Sequence, residues 1–188
     1  IKTELYRLNH PWFNSYRFSF STNGINYDTE KVQNFIKKNK EHLSIGITID
    51  GTQEKHDLNR IWKTKEMENG IYPKPEDEKG SYHDVVRNIP LWQQQFPNSG
   101  TKVTISSADI PYIKDSVLHL YSLGIHEVNI NCVFEDVWKS GDDILFENQL
   151  TELADAIIDG EYYKEFTCSF YTEHLGKPMD CVSQNQNW

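Results

Sequence analysis

The sequence predicts an α/β fold built from parallel strand–helix repeats. Short runs of strand length, either apolar or alternating, recur along the chain, and turn residues and then a stretch with helical spacing of apolar side chains follow each run. Strands separated by helices in this way pair in parallel through right-handed crossovers. The pattern fits a doubly wound sheet or part of an α/β barrel, and both place ligands at the carboxyl ends of the strands.

The first two strands are predicted from aromatic and β-branched residues. Residues 16–21 alternate in polarity and end at Thr22-Asn23-Gly24, a turn sequence. Asp28 or Thr29 can cap a helix that runs to about His42, with apolar side chains three and four residues apart. Residues 43–49 form the second strand, which Asp50-Gly51 closes.

A long polar stretch from residue 52 to about residue 80 separates the first two units from the others. Loops of this length in compact domains are usually functional or disordered. Ser81 and Asp84 resemble a capping box, with Asp in the usual Glu position, and predict a helix to about Phe96.

Two more strand–helix units follow. Residues 101–106 and 127–133 are predicted strands. Asp109 is predicted to cap a helix that ends at Leu123, before Gly124, and residues 143–158 form a further helix. Beyond residue 160 we expect a short turn at 162–166 and a strand at 167–171, so residues 1–160 are assigned to the domain and 161–188 to a linker.

Composition restricts the function classes. The net charge of -9 disfavours nucleic acid and anionic lipid as partners, and no apolar run approaches the length of a membrane helix. The three cysteines, Cys132, Cys168 and Cys181, are too widely spaced for a metal motif and odd in number for a disulfide framework. A reduced, cytoplasmic setting is expected.

The carboxyl ends of all four predicted strands carry small or polar residues. These ends are residues 22–24, 48–51, 106–109 and 131–135. Each end alone is explained by ordinary turn chemistry. Four such ends on one rim, with hydroxyls, amides and carboxylates, indicate a site for a polar ligand.

A series of motifs in this strand context resembles a known family. The segment Ser21–Gly24 follows the first strand, Ile47–Gly51 ends the second, and His56-Asp57-x-x-Arg60 and Gly80-Ser81-Tyr82-x-x-Val85 come next. Over residues 15–160 the order resembles radical S-adenosylmethionine enzymes with SPASM-type extensions, a group that includes anaerobic sulfatase-maturating enzymes and peptide maturases.

The resemblance implies a partial (β/α)6-type TIM-like barrel, with S-adenosylmethionine and a [4Fe–4S] cluster as cofactors of the parent protein. It also implies hydrogen abstraction from a peptide or protein substrate through a 5′-deoxyadenosyl radical, with an electron donor as partner. The family's C-x3-C-x2-C loop and Gly-Gly-Glu segment are missing from the sequence. We therefore expect an internal fragment, inactive alone, that retains neither cofactor.

Seven residues are candidates for cofactor binding under this resemblance. They are Thr22, Asn23, Thr48, Asp50, Arg60, Ser106 and Asn131. Thr48 stands where the family usually has Ser, and the alternative is an ordinary strand residue. Arg60 offers a planar fork for the cofactor carboxylate, or forms a salt bridge with Asp50 or Asp57. Asn23 and Asp50 also fit structural roles in their turns, and no catalytic residue is assigned.

Glu135 and Trp138 are weaker candidates for contact with the substrate, and a plain surface carboxylate is the alternative for Glu135. His56 and Asp57 belong to loop architecture under the resemblance. Two other functions remain open. One is a non-enzymatic α/β module that binds a nucleotide or peptide. The other is a metal-dependent barrel hydrolase, which requires His56, Asp57, His126 and Glu135 to converge.

Overall fold

The computed structural model describes residues 2–63, 67, 70, 79–135 and 137–171. Five parallel strands lie among them: β1 (Phe18–Thr22), β2 (Leu43–Ile47), β3 (Thr101–Ile105), β4 (Glu127–Cys132) and β5 (Thr167–Cys168). The α-helices are α1 (Lys2–Arg7), α2 (Glu30–Asn39), α3 (Gln53–Asn59), α4 (Tyr82–Val86), α5 (Ile89–Gln95), α6 (Ile113–Ser122) and α7 (Asp142–Asp159). Short 3-10 helices cover Pro11–Asn14, Lys40–His42, Ser107–Tyr112 and Tyr162–Lys164.

The strands form two parallel ladders, β1-β2 and β3-β4-β5, which a single parallel bridge between Thr48 and Lys102 joins. The side chain of Thr101 also joins the two ladders. Its hydroxyl donates to the carbonyl of Ile47 at 2.6 Å and accepts from the amide of Ile49 at 3.2 Å. Beyond Thr48 the strands β2 and β3 diverge.

The two faces of the sheet differ sharply in chemistry. Side chains alternate along a strand, and partners in a parallel ladder point to the same side. One face, termed the apolar face, carries Ile45, Ile47, Val103, Ile105 and Val128, all buried. They pack in one core with side chains of α2, α5 and α6, which include fully buried Ile36, Trp92 and Leu120.

The opposite face, termed the polar face, is half-buried to exposed. Its residues follow from the same register, and they are Ser19, Ser21, Ser44, Thr48, Lys102, Thr104, Asn129 and Asn131. Parallel sheets are normally apolar on both faces, because helices cover both. A polar face of hydroxyls, amides and one ammonium is therefore an exception that calls for a polar neighbour.

Two predicted features in the middle of the chain were wrong in detail. The stretch after residue 52 is not all loop, because Thr52 caps α3 by accepting from the amide of Lys55. The predicted helix to Phe96 is two helices, α4 and α5. Pro90 lies in the first turn of α5, where its missing N–H costs nothing.

Two predicted caps also differ. Ser81 makes no capping bond; its hydroxyl donates instead to the carbonyl of Arg60 at 2.8 Å. Ser106, rather than Asp109, occupies the N-cap of the 3-10 helix that precedes α6, and Asp109 completes the capping box at the third position. Gly124 follows the end of α6 and has a φ of 74°, as its position after the predicted helix indicates.

The long connection after α3 starts and ends at one place, termed the loop base. Ile61 and Gly80 form an antiparallel bridge, the amide of Trp62 donates to Lys79 at 2.8 Å, and that of Ser81 donates to Arg60 at 3.0 Å. Most of residues 64–78 and all of residues 172–188, which include Cys181, lie outside the described part of the chain. The predicted boundary at residue 160 stays a prediction.

Candidate functional site at the carboxyl ends of the strands

Asp50 and Arg60 form an ion pair where β2 leaves the sheet. The guanidinium Nε of Arg60 contacts Oδ2 of Asp50, and Nη2 donates to Oδ1 at 3.3 Å. The carboxylate is buried, whereas the arginine side chain is 30% exposed. The structure thus brings together the pair that the sequence offered as an alternative to cofactor binding by Arg60.

A second, deeper ion pair lies beside the first. The ammonium of Lys55 is 3.2 Å from Oδ1 of Asp109, and the two side chains are 1% and 5% exposed. Asp109 also accepts from the amide and hydroxyl of Ser106 at 2.8 and 2.6 Å. Burial would raise the pKa of Asp109, but the hydrogen bonds from Ser106 and the charge of Lys55 outweigh it and lower that pKa.

These two pairs replace backbone pairing in the gap between β2 and β3. The amide of Thr104 donates to Oδ1 of Asp50 at 3.2 Å, and its carbonyl accepts from the ammonium of Lys55 at 2.8 Å. A buried backbone group without a partner is costly, so the side chains allow the strands to diverge without that loss. The sequence therefore encodes the separation of β2 and β3 at their carboxyl ends.

His56 and Asp57 hold the start of this rim in place. The amide of Asp50 donates to Nδ1 of His56 at 3.2 Å, so Nε2 carries the proton and donates to the hydroxyl of Ser81 at 3.1 Å. Burial lowers the pKa of His56 to about 4, which keeps the ring neutral. Asp57 accepts from the amide of Tyr82 at 2.9 Å, and its carboxylate lies so close to Gly80 that a Cβ there would clash.

Thr22, Asn23 and Ser106 use their side chains locally. Thr22 lies on the apolar face and accepts from the amide of Gly24 at 3.3 Å, and Asn23 accepts from the amide of Ile25 at the same distance. The hydroxyl of Ser106 is committed to Asp109. The backbone is engaged here as well, because the carbonyl of Thr22 accepts from the amide of Thr48 at 2.8 Å and the carbonyl of Ser106 accepts from the amide of Asp109 at 3.0 Å.

Thr48 and Asn131 differ from the other candidates, since both side chains belong to the polar face. Thr48 is half-buried and Asn131 is exposed, and β3 lies between them. Sequence reasoning missed the polar residues that connect them, which include Lys102, Thr104 and Asn129. The alternation in residues 101–105 and 127–131 carried this signal, because every second residue is polar.

Glu135 and Trp138 follow β4. Glu135 is exposed, and its carbonyl accepts from the amide of Val137. The indole of Trp138 donates to the carbonyl of Val133 at 3.2 Å and lines a cavity of about 480 Å³ together with Cys132 and Phe146. Cys132 belongs to the apolar face, so Trp138 lies on the side of β4 opposite to Asn131.

The residues of the hydrolase alternative do not converge. His56 is enclosed between Asp50 and Ser81, whereas His126 stacks on the ring of Phe166. Within residues 2–63, 67, 70, 79–135 and 137–171, no group of three or more His, Cys, Asp or Glu side chains is placed to hold a metal ion. The same described residues contain no helix with the length and hydropathy that a membrane crossing requires.

Comparison with solved structures relates this fold to anSMEcpe, a radical S-adenosylmethionine anaerobic sulfatase-maturating enzyme. Native anSMEcpe with bound AdoMet and Cp18Cys peptide aligns over 88% of this chain, with a TM-score of 0.60 and 17% identity. Native anSMEcpe with bound AdoMet aligns over the same share, with a TM-score of 0.61 and 18% identity. No protein-family model matches the sequence, and neither does any curated protein.

The fold resembles part of the radical S-adenosylmethionine partial barrel. This likeness confirms the predicted α/β class with parallel strands that alternate with helices. The chain spans less than half the length of these anSMEcpe chains, 44% and 43%. At this level of identity the comparison establishes the fold alone.

Proposed function

We propose that this chain forms part of the S-adenosylmethionine pocket of a radical enzyme that modifies a peptide or protein side chain. The polar face is the observation that carries the proposal. It gives a parallel sheet a surface of hydrogen-bonding groups on the side opposite to its helices. The likeness to anSMEcpe, which holds AdoMet and a peptide, supports the same assignment.

The chemistry of the polar face fits S-adenosylmethionine. That cofactor presents a carboxylate, an amine, two ribose hydroxyls and the edge of an adenine. Thr48, Thr104, Asn129 and Asn131 supply neutral donors and acceptors, and Lys102 supplies a positive charge. The edge of Arg60 that faces away from Asp50 adds a further candidate donor at the rim.

The described residues do not fit a [4Fe–4S] cluster, which requires cysteine thiolates. Cys168 is buried, and burial raises the pKa of its thiol to about 11; burial also raises the pKa of Cys132. The proposal therefore assigns the cluster to cysteines of the parent protein outside this chain. When bound in the parent protein, the cluster and S-adenosylmethionine would supply a 5′-deoxyadenosyl radical for hydrogen abstraction from the substrate.

The test measures the affinity of the reconstituted parent protein for S-adenosylmethionine by calorimetry. Thr48→Val and Asn131→Ala each remove a hydrogen-bonding group from the polar face. Each should weaken binding by about 2- to 10-fold, the value of one hydrogen bond. Asn148→Ala, an exposed asparagine on α7, is the matched control and should leave the affinity unchanged.

Equal affinities for all three variants and the unaltered protein would refute the placement of the cofactor on the polar face. No measurable binding by the unaltered protein would refute the function itself. Binding of other nucleotides with the same affinity would favour the alternative of a non-enzymatic nucleotide-binding module, since the proposal requires recognition of the methionine end as well.

A further inference from the structure

A strongly basic surface lies at the opposite end of the strands from the candidate site. It is termed the basic cleft and surrounds a cavity of about 730 Å³ lined by Lys2, Arg17, Lys37, Lys38 and Lys40. Arg17 precedes β1, and Lys40 precedes β2, so the cleft lies at the amino ends of these strands. The basic cleft therefore lies on a different surface from the candidate site at the carboxyl ends of the strands.

The concentration of charge here runs against the composition of the chain. The protein has 28 acidic residues and 19 lysines and arginines, yet five of those cations and only one acid, Glu41, line the cleft. All five cations are exposed. Within the described part of the chain, none of the five takes part in a salt bridge.

Helix stabilisation explains only part of this cluster. Lys37 and Lys38 lie in the last turn of α2, where positive charge interacts favourably with the helix dipole. Lys2 and Arg17 come from other segments and gain nothing from that dipole. Their approach to the same cavity adds repulsion between like charges, which an anionic partner would relieve.

The cleft is held in shape by packed rings. The ring of Tyr16 stacks on His42 with centroids 4.1 Å apart, and Nδ1 of His42 donates to the carbonyl of Tyr16 at 3.0 Å. Contacts continue from Tyr16 to Phe13 and from Phe13 to Tyr6, whose side chain is 71% exposed. Exposed tyrosine and arginine side chains are enriched among the residues that anchor protein–protein contacts.

We propose that the basic cleft binds an acidic segment of a partner protein, with Tyr6 as an apolar anchor. A nucleic acid fits the charge distribution less well. Its charge extends far beyond one cleft and would meet the rest of a chain whose net charge is -9, whereas a short run of Asp and Glu places its charge in the cleft alone. Salt screens each charge–charge attraction beyond roughly 10 Å. The charges close to the cleft, rather than the net charge of the chain, therefore determine which partner binds there.

The experiment follows a fluorescent hexaglutamate peptide by anisotropy as the full chain is added at low and at high salt. Binding should weaken as salt rises, and Lys37→Glu/Lys38→Glu/Lys40→Glu should weaken it by at least about tenfold. The corresponding triple Gln variant, which avoids new charge at the end of α2, should give a smaller loss in the same direction. Circular dichroism verifies that both variants are folded.

The matched control reverses Lys31, Lys63 and Lys139, which are exposed and lie outside the cleft, with the same change in net charge. It should retain most of the affinity. An equal loss in this control would overturn the proposal, as would salt-independent binding. Tighter binding of a single-stranded oligonucleotide of equal charge, or salt-sensitive self-association of the chain in gel filtration, would assign the cleft to another partner and overturn it too.

Discussion

Replacement of Lys55 by methionine tests the importance of the buried charges between β2 and β3. The substitution keeps most of the side-chain volume but removes the ammonium. Asp109 then loses an ion-pair partner at 3.2 Å, and the carbonyl of Thr104 loses a donor at 2.8 Å. The carboxylate of Asp109 is buried, so water cannot replace the ammonium there without opening the structure.

The expected cost follows from this burial. Removal of one member of a buried ion pair typically destabilises a protein by about 3–5 kcal/mol, because the other charge stays buried without compensation. The remaining bonds to Asp109, from Ser106 at 2.6 and 2.8 Å and from Asn59 at 3.2 Å, reduce the loss toward the lower limit. We therefore expect Lys55→Met to lower the free energy of unfolding by about 3 kcal/mol.

Urea unfolding measures this change, and Lys114→Met is the matched control. Lys114 contacts Glu152 at 2.7 Å, a shorter distance than in the buried pair, but the side chains are 32% and 51% exposed. Its loss should cost far less than the loss of Lys55, because an exposed ion pair contributes little to stability. Asp109→Asn should also cost less in the Lys55→Met background than alone, since no unpaired charge then remains. Equal effects of the two lysine substitutions would refute the reasoning.

Further outcomes follow from other buried contacts. Burial lowers the pKa of His56 from 6.5 in the unfolded chain to about 4. The free energy of unfolding should therefore fall by up to about 3 kcal/mol as the pH drops from 6.5 to 4, because the unfolded chain binds the proton first. His56→Gln should flatten this dependence of stability on pH. Gly51→Ala should cost more than about 3 kcal/mol, because φ is 117° and the new Cβ would lie 2.2 Å from Cβ of Ser116; normal stability would contradict the geometry. Trp92→Phe removes a buried 2.7 Å hydrogen bond to β2 and should cost about 1–3 kcal/mol, whereas Trp12→Phe, on the surface, should cost little.

The strand–helix order was predictable because most buried residues in this chain are apolar and follow simple periodicities. Helix α3 was missed because its buried positions are Lys55 and His56, which hydropathy assigns to the surface. Their burial depends on partners about 25 to 54 residues away, Ser81 and Asp109 among them. A hydropathy pattern within one segment gives no information about partners so far along the chain.

The contact between Asp50 and Arg60 was partly predictable from the sequence. Both residues were expected near the carboxyl end of β2, and they do meet there. The sequence left open which of several carboxylates Arg60 would contact. The polar face was predictable from alternation alone, but the bridge between Thr48 and Lys102, which places its two halves side by side, was not.

The loop base has a consequence for how the fold tolerates change. Ile61 and Gly80 fix the distance between the two ends of the connection, whatever chain joins them. Closing a loop between fixed ends costs only about 0.6 kcal/mol more when its length doubles. Insertions and exchanges between residues 62 and 79 should therefore leave the register of β2 and α4 intact. Such changes should also leave the polar face as it is, because none of its residues belongs to this connection.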